Sequence, residues 1–136
     1  MSAASTPVDL SSLVESREPL EAVLLITRAG TQLGAWTRNT VPIDVLSVMA
    51  ATLVGSIETL MTALGASSPH EVSLIIDGRR VFLTKVNAQV VLVIVAAGTM
   101  TEVALRGKIR QIVKSLPPFP SDAEGFRRAA RDRRRS

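Results

Sequence analysis

The 136-residue chain contains no cysteine. Disulfides and thiolate metal sites are therefore excluded, and a reducing compartment fits the sequence. Histidine is scarce as well. The single one, His70, follows Ser-Ser-Pro without an acid cluster beside it, so it reads as a solvated loop residue rather than a metal ligand. No GxxxxGK[ST] run occurs, so the chain is not itself a P-loop nucleotide hydrolase. Gly30 and Gly34 alone do not make a phosphate loop, no serine sits in a nucleophile elbow, and no carboxylate pair marks acid–base chemistry. The expectation is a protein that is not an enzyme and needs no cofactor or metal. The opening MSAASTP has neither the positive start nor the apolar run of a secretory signal, so a cytoplasmic protein is expected.

Charge is sparse outside one segment. The formal net charge is +4, but six arginines against three acids fall in Pro117–Ser136, leaving the body nearly neutral. A neutral body argues against a domain whose whole surface tracks nucleic-acid phosphates. The arginine-rich tail reads as an unstructured segment. The alternative is a tether to nucleic acid, an anionic membrane or an acidic protein, with Arg127, Arg128, Arg131, Arg133, Arg134 and Arg135 as candidate polyanion contacts.

What the chain does have is hydrophobic pattern. Residues 1–18 form a short N-terminal segment, in which VDLSSLVES holds one or two helical turns capped by Asp9 or Ser11. EAVLLITR and TQLGAWTR read as strands joined at Ala29-Gly30. Ile43–Leu64 is the longest helix, entered at Pro42 and left at Gly65. EVSLIID and RRVFLTKV flank Asp77-Gly78, a strong hairpin signal. QVVLVIVA has the unbroken apolar run of a strand buried on both faces, so it belongs in the centre of the sheet beside the first strand. At eight residues, Val90–Ala97 is far below the roughly 20 that a membrane helix needs. Thr99 and Glu102 have the spacing of a capping box for a final helix. Its apolar stripe is Val103, Leu105, Ile109, Ile112, Val113 and Leu116, and its basic side, Arg106, Arg110 and Lys114, reads as solvated. Trp36, the sole tryptophan, is assigned to packing on the second strand. The order (α)ββαβββα predicts an α+β, α/β/α layered sandwich. Its five-stranded, mostly antiparallel sheet carries the long helix on one face and the C-terminal helix on the other.

The long helix is unusual because it lacks a charged face. One arc carries Met49, Leu60, Leu53, Leu46, Leu64, Ile57, Ala50, Ile43, Met61 and Val54, read as the core stripe. The opposite arc is small and uncharged, with Asp44 and Glu58 near one edge and no lysine or arginine at all. Spacing such as Ala51, Gly55, Thr59 admits the close approach of another backbone. EVSLIID falls at a sheet edge with no internal charge or proline to blunt it. Together these predict a symmetric dimer in which edges pair and helices lie side by side. The candidate interface is Ser47, Val48, Ala51, Thr52, Gly55, Ser56, Glu58, Thr59 and Thr62 on the helix, with Val72, Ser73, Leu74 and Ile75 on the edge strand.

Through AVLLITRAGTQLGAW, the long Ala/Leu-rich helix ending at Gly65, VSLIIDGRRVFLTKVNAQVVLVIVA and the closing amphipathic helix, the chain resembles the Roadblock/dynein light chain family. The prokaryotic small-GTPase-regulator type is the nearest in character. The resemblance spans residues 21–116 within a domain expected over 19–116. It implies a profilin/longin-like Roadblock fold, homodimers or heterodimers with a continuous ten-stranded sheet, and a non-enzymatic role as platform for Ras-like small GTPases or for motor complexes. It also implies docking on the Ser47, Ala51, Gly55, Glu58 and Thr62 side of the paired helices.

Overall fold

The computed structural model describes residues 8–15, 19–38 and 41–117. The sheet is built from β1 (Leu20–Thr27), β2 (Gln32–Thr37), β3 (Glu71–Ile76), β4 (Arg79–Lys85) and β5 (Val90–Ala97), with α1 (Ile43–Ala63) and α2 (Glu102–Ser115). The strand order is β2-β1-β5-β4-β3, and every strand pairing is antiparallel. β5 is central beside β1, and β3 forms one edge, as its pattern predicts. The α+β layered sandwich expected from the sequence is the observed architecture.

Each connection follows from a backbone requirement. Asp77 and Gly78 both take positive φ, at 48° and 74°, and join β3 to β4 in a two-residue turn that matches strand twist. Gly65, at φ 70°, ends α1. Its N–H donates to the Thr62 carbonyl at 3.0 Å and the Ala66 N–H to the Met61 carbonyl at 2.8 Å, the paired bonds of a Schellman stop.

Two apolar clusters fill the sandwich, one on each face of the sheet. Val23, Leu25, Phe82, Leu92 and Ile94 meet Leu105, Ile109 and Ile112 of α2. Leu24, Ile26, Leu83, Val91 and Val93 meet Ala50 and Val54 of α1. β5 contributes to both, which is why its run does not alternate. Trp36 packs at the margin of the α2-side cluster, with the Arg38 guanidinium 5.6 Å above its ring.

The N-terminal segment belongs to the packed unit. Leu10 is 1% exposed within the α2-side cluster. Val8 bridges Gly34 in parallel, its N–H donating to the Leu33 carbonyl at 2.7 Å. A Cβ on Gly34 would lie 2.6 Å from the Val8 carbonyl oxygen, so the glycine makes room for this strap. In place of the expected α-helical turns, Ser11–Leu13 form a single 3-10 turn. The Asp9 carboxylate accepts from the Ser11 N–H at 3.0 Å and from the Ser11 hydroxyl at 2.6 Å, and these two bonds hold it below the ordinary carboxylate range.

Two expectations about α2 need correction. Its cap is Thr101, not Thr99: the Thr101 hydroxyl accepts from the Ala104 N–H at 3.1 Å. The Met100 N–H turns back to the Ala97 carbonyl and Met100 is buried, so the chain spends two more residues leaving β5 before the helix begins. Val103, expected in the apolar stripe, is 79% exposed. Residues three and four apart share a helix face, and the buried positions Leu105, Lys108, Ile109 and Ile112 set that face on the side away from Val103.

Replacing Thr101 with Ala should cost about 1 kcal/mol of stability by removing the cap. Thr99→Ala should leave the urea midpoint nearly unchanged, because Thr99 caps nothing. Urea unfolding of the two variants side by side checks this.

Candidate interface on the long helix and the edge strand

The two edges of the sheet are unlike. The β2 edge is strapped by Val8, whereas β3 has β4 on one side only. Ile75 and Ile76, at the end of β3, are 72% and 55% exposed. α1 covers one face of the sheet, over β1, β4 and β5, with Val72 of β3 at the margin of the same cluster. It is long and apolar enough to cross a membrane by length and composition. Here, however, it is a layer of the sandwich, with Ser47, Ala50 and Val54 buried against the sheet.

The outward side of α1 carries Val45, Val48, Met49, Leu60 and Leu64, each more than half exposed. Three of these, Met49, Leu60 and Leu64, were expected in the core. The reading failed because the apolar arc is wider than one helix can bury on a sheet; a core-facing stripe covers little more than about 100°. On this flank the N-terminal end of the helix meets the β3–β4 hairpin. Leu46 shares a groove there with Ile76, Val81 and Arg79. The excess width of the arc was the available signal that part of it serves another surface.

The small-residue side divides. Ser47 is 1% exposed and lies inside the subunit, so it leaves the candidate interface. Ala51 is half-buried, in contact with the α1-side cluster. The backbone that approaches these small residues is the chain's own. A Cβ on Gly30, in the β1–β2 turn, would sit 3.5 Å from the Val48 Cα, 3.6 Å from the Ala51 Cβ and 3.7 Å from the Ser47 carbonyl oxygen. Gly30 has a φ of 93°, so the turn needs glycine for conformation as well as for contact. Val48, Thr52, Gly55, Ser56, Thr59 and Thr62 remain exposed, and nothing stands within 4 Å of a Cβ built on Gly55. The Thr52, Thr59 and Thr62 hydroxyls donate back to the carbonyls of Val48, Gly55 and Glu58, which leaves that face weakly polar.

Glu58 is not a free surface charge. Its carboxylate pairs with Arg28 at the end of β1 and with the Lys85 ammonium at 3.0 Å, and accepts from the Ser68 hydroxyl at 3.2 Å. The Lys85 Nζ also reaches the Ser68 Oγ at 2.7 Å. Partial burial pushes the Glu58 carboxyl up. The Lys85 hydrogen bond, the Arg28 and Lys85 charges and the Ser68 hydroxyl pull it down and prevail, holding it below its ordinary value. Glu58 therefore ties α1 to the sheet. Arg106 is likewise engaged, with Glu71 at 2.7 Å and Glu102 at 3.3 Å, and its guanidinium lies 5.5 Å from the Phe82 ring centre. That correction leaves Arg110 and Lys114 as the basic residues on that side of α2.

On β3, Val72 and Leu74 are half-buried, while Ser73 and Ile75 are exposed. Val72 faces the α1 layer. His70 sits exposed before the strand, and its carbonyl accepts from the Lys85 N–H at 3.0 Å. No group of three or more His, Asp or Glu side chains among the described residues is placed to hold a metal ion. The candidate polyanion contacts Arg127, Arg128, Arg131, Arg133, Arg134 and Arg135 lie outside the described residues.

The chain is thus a small layered sandwich with one strapped edge, one bare edge and a long helix whose outer side is apolar. The Roadblock/LC7 domain matches residues 8–96, and the chain belongs to that family. Its fold is similar to that of a Roadblock/LC7 domain from Streptomyces avermitilis, with a TM-score of 0.70 at 18% identity over 81% of this chain and 94% of that one. It is also similar to Myxococcus xanthus MglB, with a TM-score of 0.65 at 17% identity over 70% of this chain and 78% of that one. Gliding protein MglB from Thermus thermophilus aligns with a TM-score of 0.63 at 19% identity, over 71% of this chain and 75% of that one. No protein of curated function matches the chain.

The Glu58 anchor has a definite pH signature. Its folded pKa is lowered, so its stabilisation is complete above the ordinary carboxylate value of 4.5 and is lost as pH falls through the lowered folded value. Glu58→Gln should be less stable than wild type at about pH 7, and that deficit should be smaller at about pH 3. Urea unfolding of both proteins at the two pH values checks the sign.

Proposed function

We propose that this chain is a non-catalytic adaptor or regulator that acts as a dimer, with a second copy or a related Roadblock-type chain, and that the dimer docks a Ras-like small GTPase in the cytoplasm. The dimerising unit is the domain from 19 to 116 together with the strap that begins at Val8. The observation that carries the reading is the exposed apolar outer side of α1, Val45, Val48, Met49, Leu60 and Leu64, in a domain whose β3 edge is also bare and ends in the exposed Ile75 and Ile76. Solvated helices normally carry charge on such a face, and a helix side that exposes several large apolar residues marks an interaction surface.

The two surfaces suit a two-fold partner. An unpaired edge strand is completed by another strand, and the commonest oligomers place the same patch against itself. The family membership supports a regulatory platform, since the resemblance implies small GTPases or motor complexes as the clients. The similar structures include an MglB with a tetrameric arrangement, a protein that assembles beyond the single chain. In this reading, the weakly polar strip of Thr52, Gly55, Ser56, Thr59 and Thr62 is the part of the paired helices offered to the client.

Light scattering should give the mass of two chains for the wild type; a monomer at micromolar concentration would remove the basis of the proposal. Leu60→Glu should weaken dimerisation by about 3 kcal/mol, roughly a hundredfold in Kd, by burying an unpaired charge. Because Leu60 is more than half exposed in the single chain, the variant should keep its fold by circular dichroism. A panel of small GTPases, loaded with GDP or a GTP analogue, should be captured by wild type and not by this variant.

A further inference from the structure

Given a dimer joined edge to edge at β3, we infer its register: Ser73 lies on the two-fold axis. The inference rests on the dimer reading above and specifies how a second copy of this chain is seated.

The free hydrogen-bonding groups of β3 belong to its odd-numbered residues. β3 and β4 pair with Val72 opposite Leu83 and Leu74 opposite Val81, and the same ladder extends to the Lys85 N–H, which donates to the His70 carbonyl. Hydrogen-bonded pairs alternate along an antiparallel ladder. His70, Val72, Leu74 and Ile76 therefore point their backbone groups at β4. Glu71, Ser73 and Ile75 point theirs out from the sheet, where β4 cannot reach them.

Symmetry and burial restrict what can follow. For the apolar outer sides of two α1 helices to be buried together, both must lie on the same face of the joined sheet. The two-fold axis then runs perpendicular to the sheet, and residues facing α1 stand opposite residues facing α1. Odd positions thus pair with odd positions. Centring on Ser73 places Ser73 opposite itself and Glu71 opposite Ile75 twice, so all three outward-facing residues of each edge are used. On the α1 side this register sets Val72 opposite Leu74, an apolar pair beneath the two helices.

Charge favours the same choice. Centring on Val72 would bring the two Glu71 side chains into diagonal contact, and like charges across strands are destabilising. Centring on Leu74 would leave Glu71 to pair with Asp77 of the second copy, an acid in a turn residue with positive φ. Centring on Ser73 sets Glu71 of the second copy in the same row as Arg80, with Ile75 between them, since Ile75 stands opposite Arg80. Two strand spacings, about 10 Å between backbones, are within the combined reach of the two side chains. The Arg80 Nε is buried without a hydrogen-bond partner in the single chain.

The absence of cysteine makes the register directly readable. Single variants Val72→Cys, Ser73→Cys, Leu74→Cys and Ile75→Cys, in the full chain, are oxidised with copper–phenanthroline and resolved on non-reducing gels, beside light scattering of the wild type. In the inferred register the Ser73 Cα atoms are about 5.5 Å apart, within disulfide reach, and those of the other three are roughly 7 Å or more apart. Ser73→Cys should give about tenfold more covalent dimer than any of the others, given that geometric limit. Dominant crosslinking at position 72 or 74 in a dimeric protein would overturn the register while leaving the dimer in place. A monomeric wild type without crosslinks at any position would overturn both.

Discussion

Eight consecutive apolar residues, Val90–Ala97, leave neither face of their strand suited to water, and the rest of the structure is arranged around hiding both. A strand buried on two faces needs a layer above and a layer below, which α1 and α2 supply. It also needs neighbours on both sides, which β1 and β4 supply by antiparallel pairing. Once β1 and β4 flank the centre, their hairpin partners β2 and β3 must be the edges. The asymmetry of the molecule begins there. The N-terminal segment reaches back to strap β2 through Val8, with Gly34 shaped to admit it, and no strand among the described residues pairs with the outer edge of β3.

α1 meets the same demand with more apolar surface than the demand requires. One side is spent on the sheet through Ala50 and Val54, and its orientation is held by two devices at one flank. The Gly30 turn presses against Ser47, Val48 and Ala51, where only small side chains leave room. Glu58 is fastened to Arg28, in the turn just after β1, and to Lys85 of β4. These contacts set the rotation of the helix, which leaves Met49, Leu60 and Leu64 facing outward. A stripe of small residues that looks made for a foreign helix is thus partly used at home. The residues that look like core become the candidate interface.

The described residues contain surfaces and anchors rather than a cleft with convergent reactive groups. Charged side chains on view are mostly engaged in holding elements together: Glu58 with Arg28 and Lys85, and Arg106 with Glu71 and Glu102. The free features are backbone groups along β3 and apolar side chains on α1. Both are satisfied by another polypeptide more readily than by a small molecule. This is the physical sense in which family membership and geometry agree.

Element type and order were legible because they depend on short-range properties: period, turn residues and run length. Asp77-Gly78 specifies its hairpin, Gly65 its helix stop, and the unbroken run in β5 its central place, each within a few residues of sequence. The bare edge was legible too, because strand order followed from the hairpins. The rotation of α1 about its own axis was not. An arc broader than a sheet can cover leaves several rotations of similar hydrophobic merit, and the choice among them is made by Gly30, Arg28 and Lys85, residues distant in sequence from most of the helix. The start of α2 escaped for a similar reason: Thr99 and Thr101 are both competent caps, and the burial of Met100 decides between them. Local pattern determined which elements exist and how they connect. Tertiary packing alone decided which side of each helix is spent inside, because that depends on contacts between segments that meet only after folding.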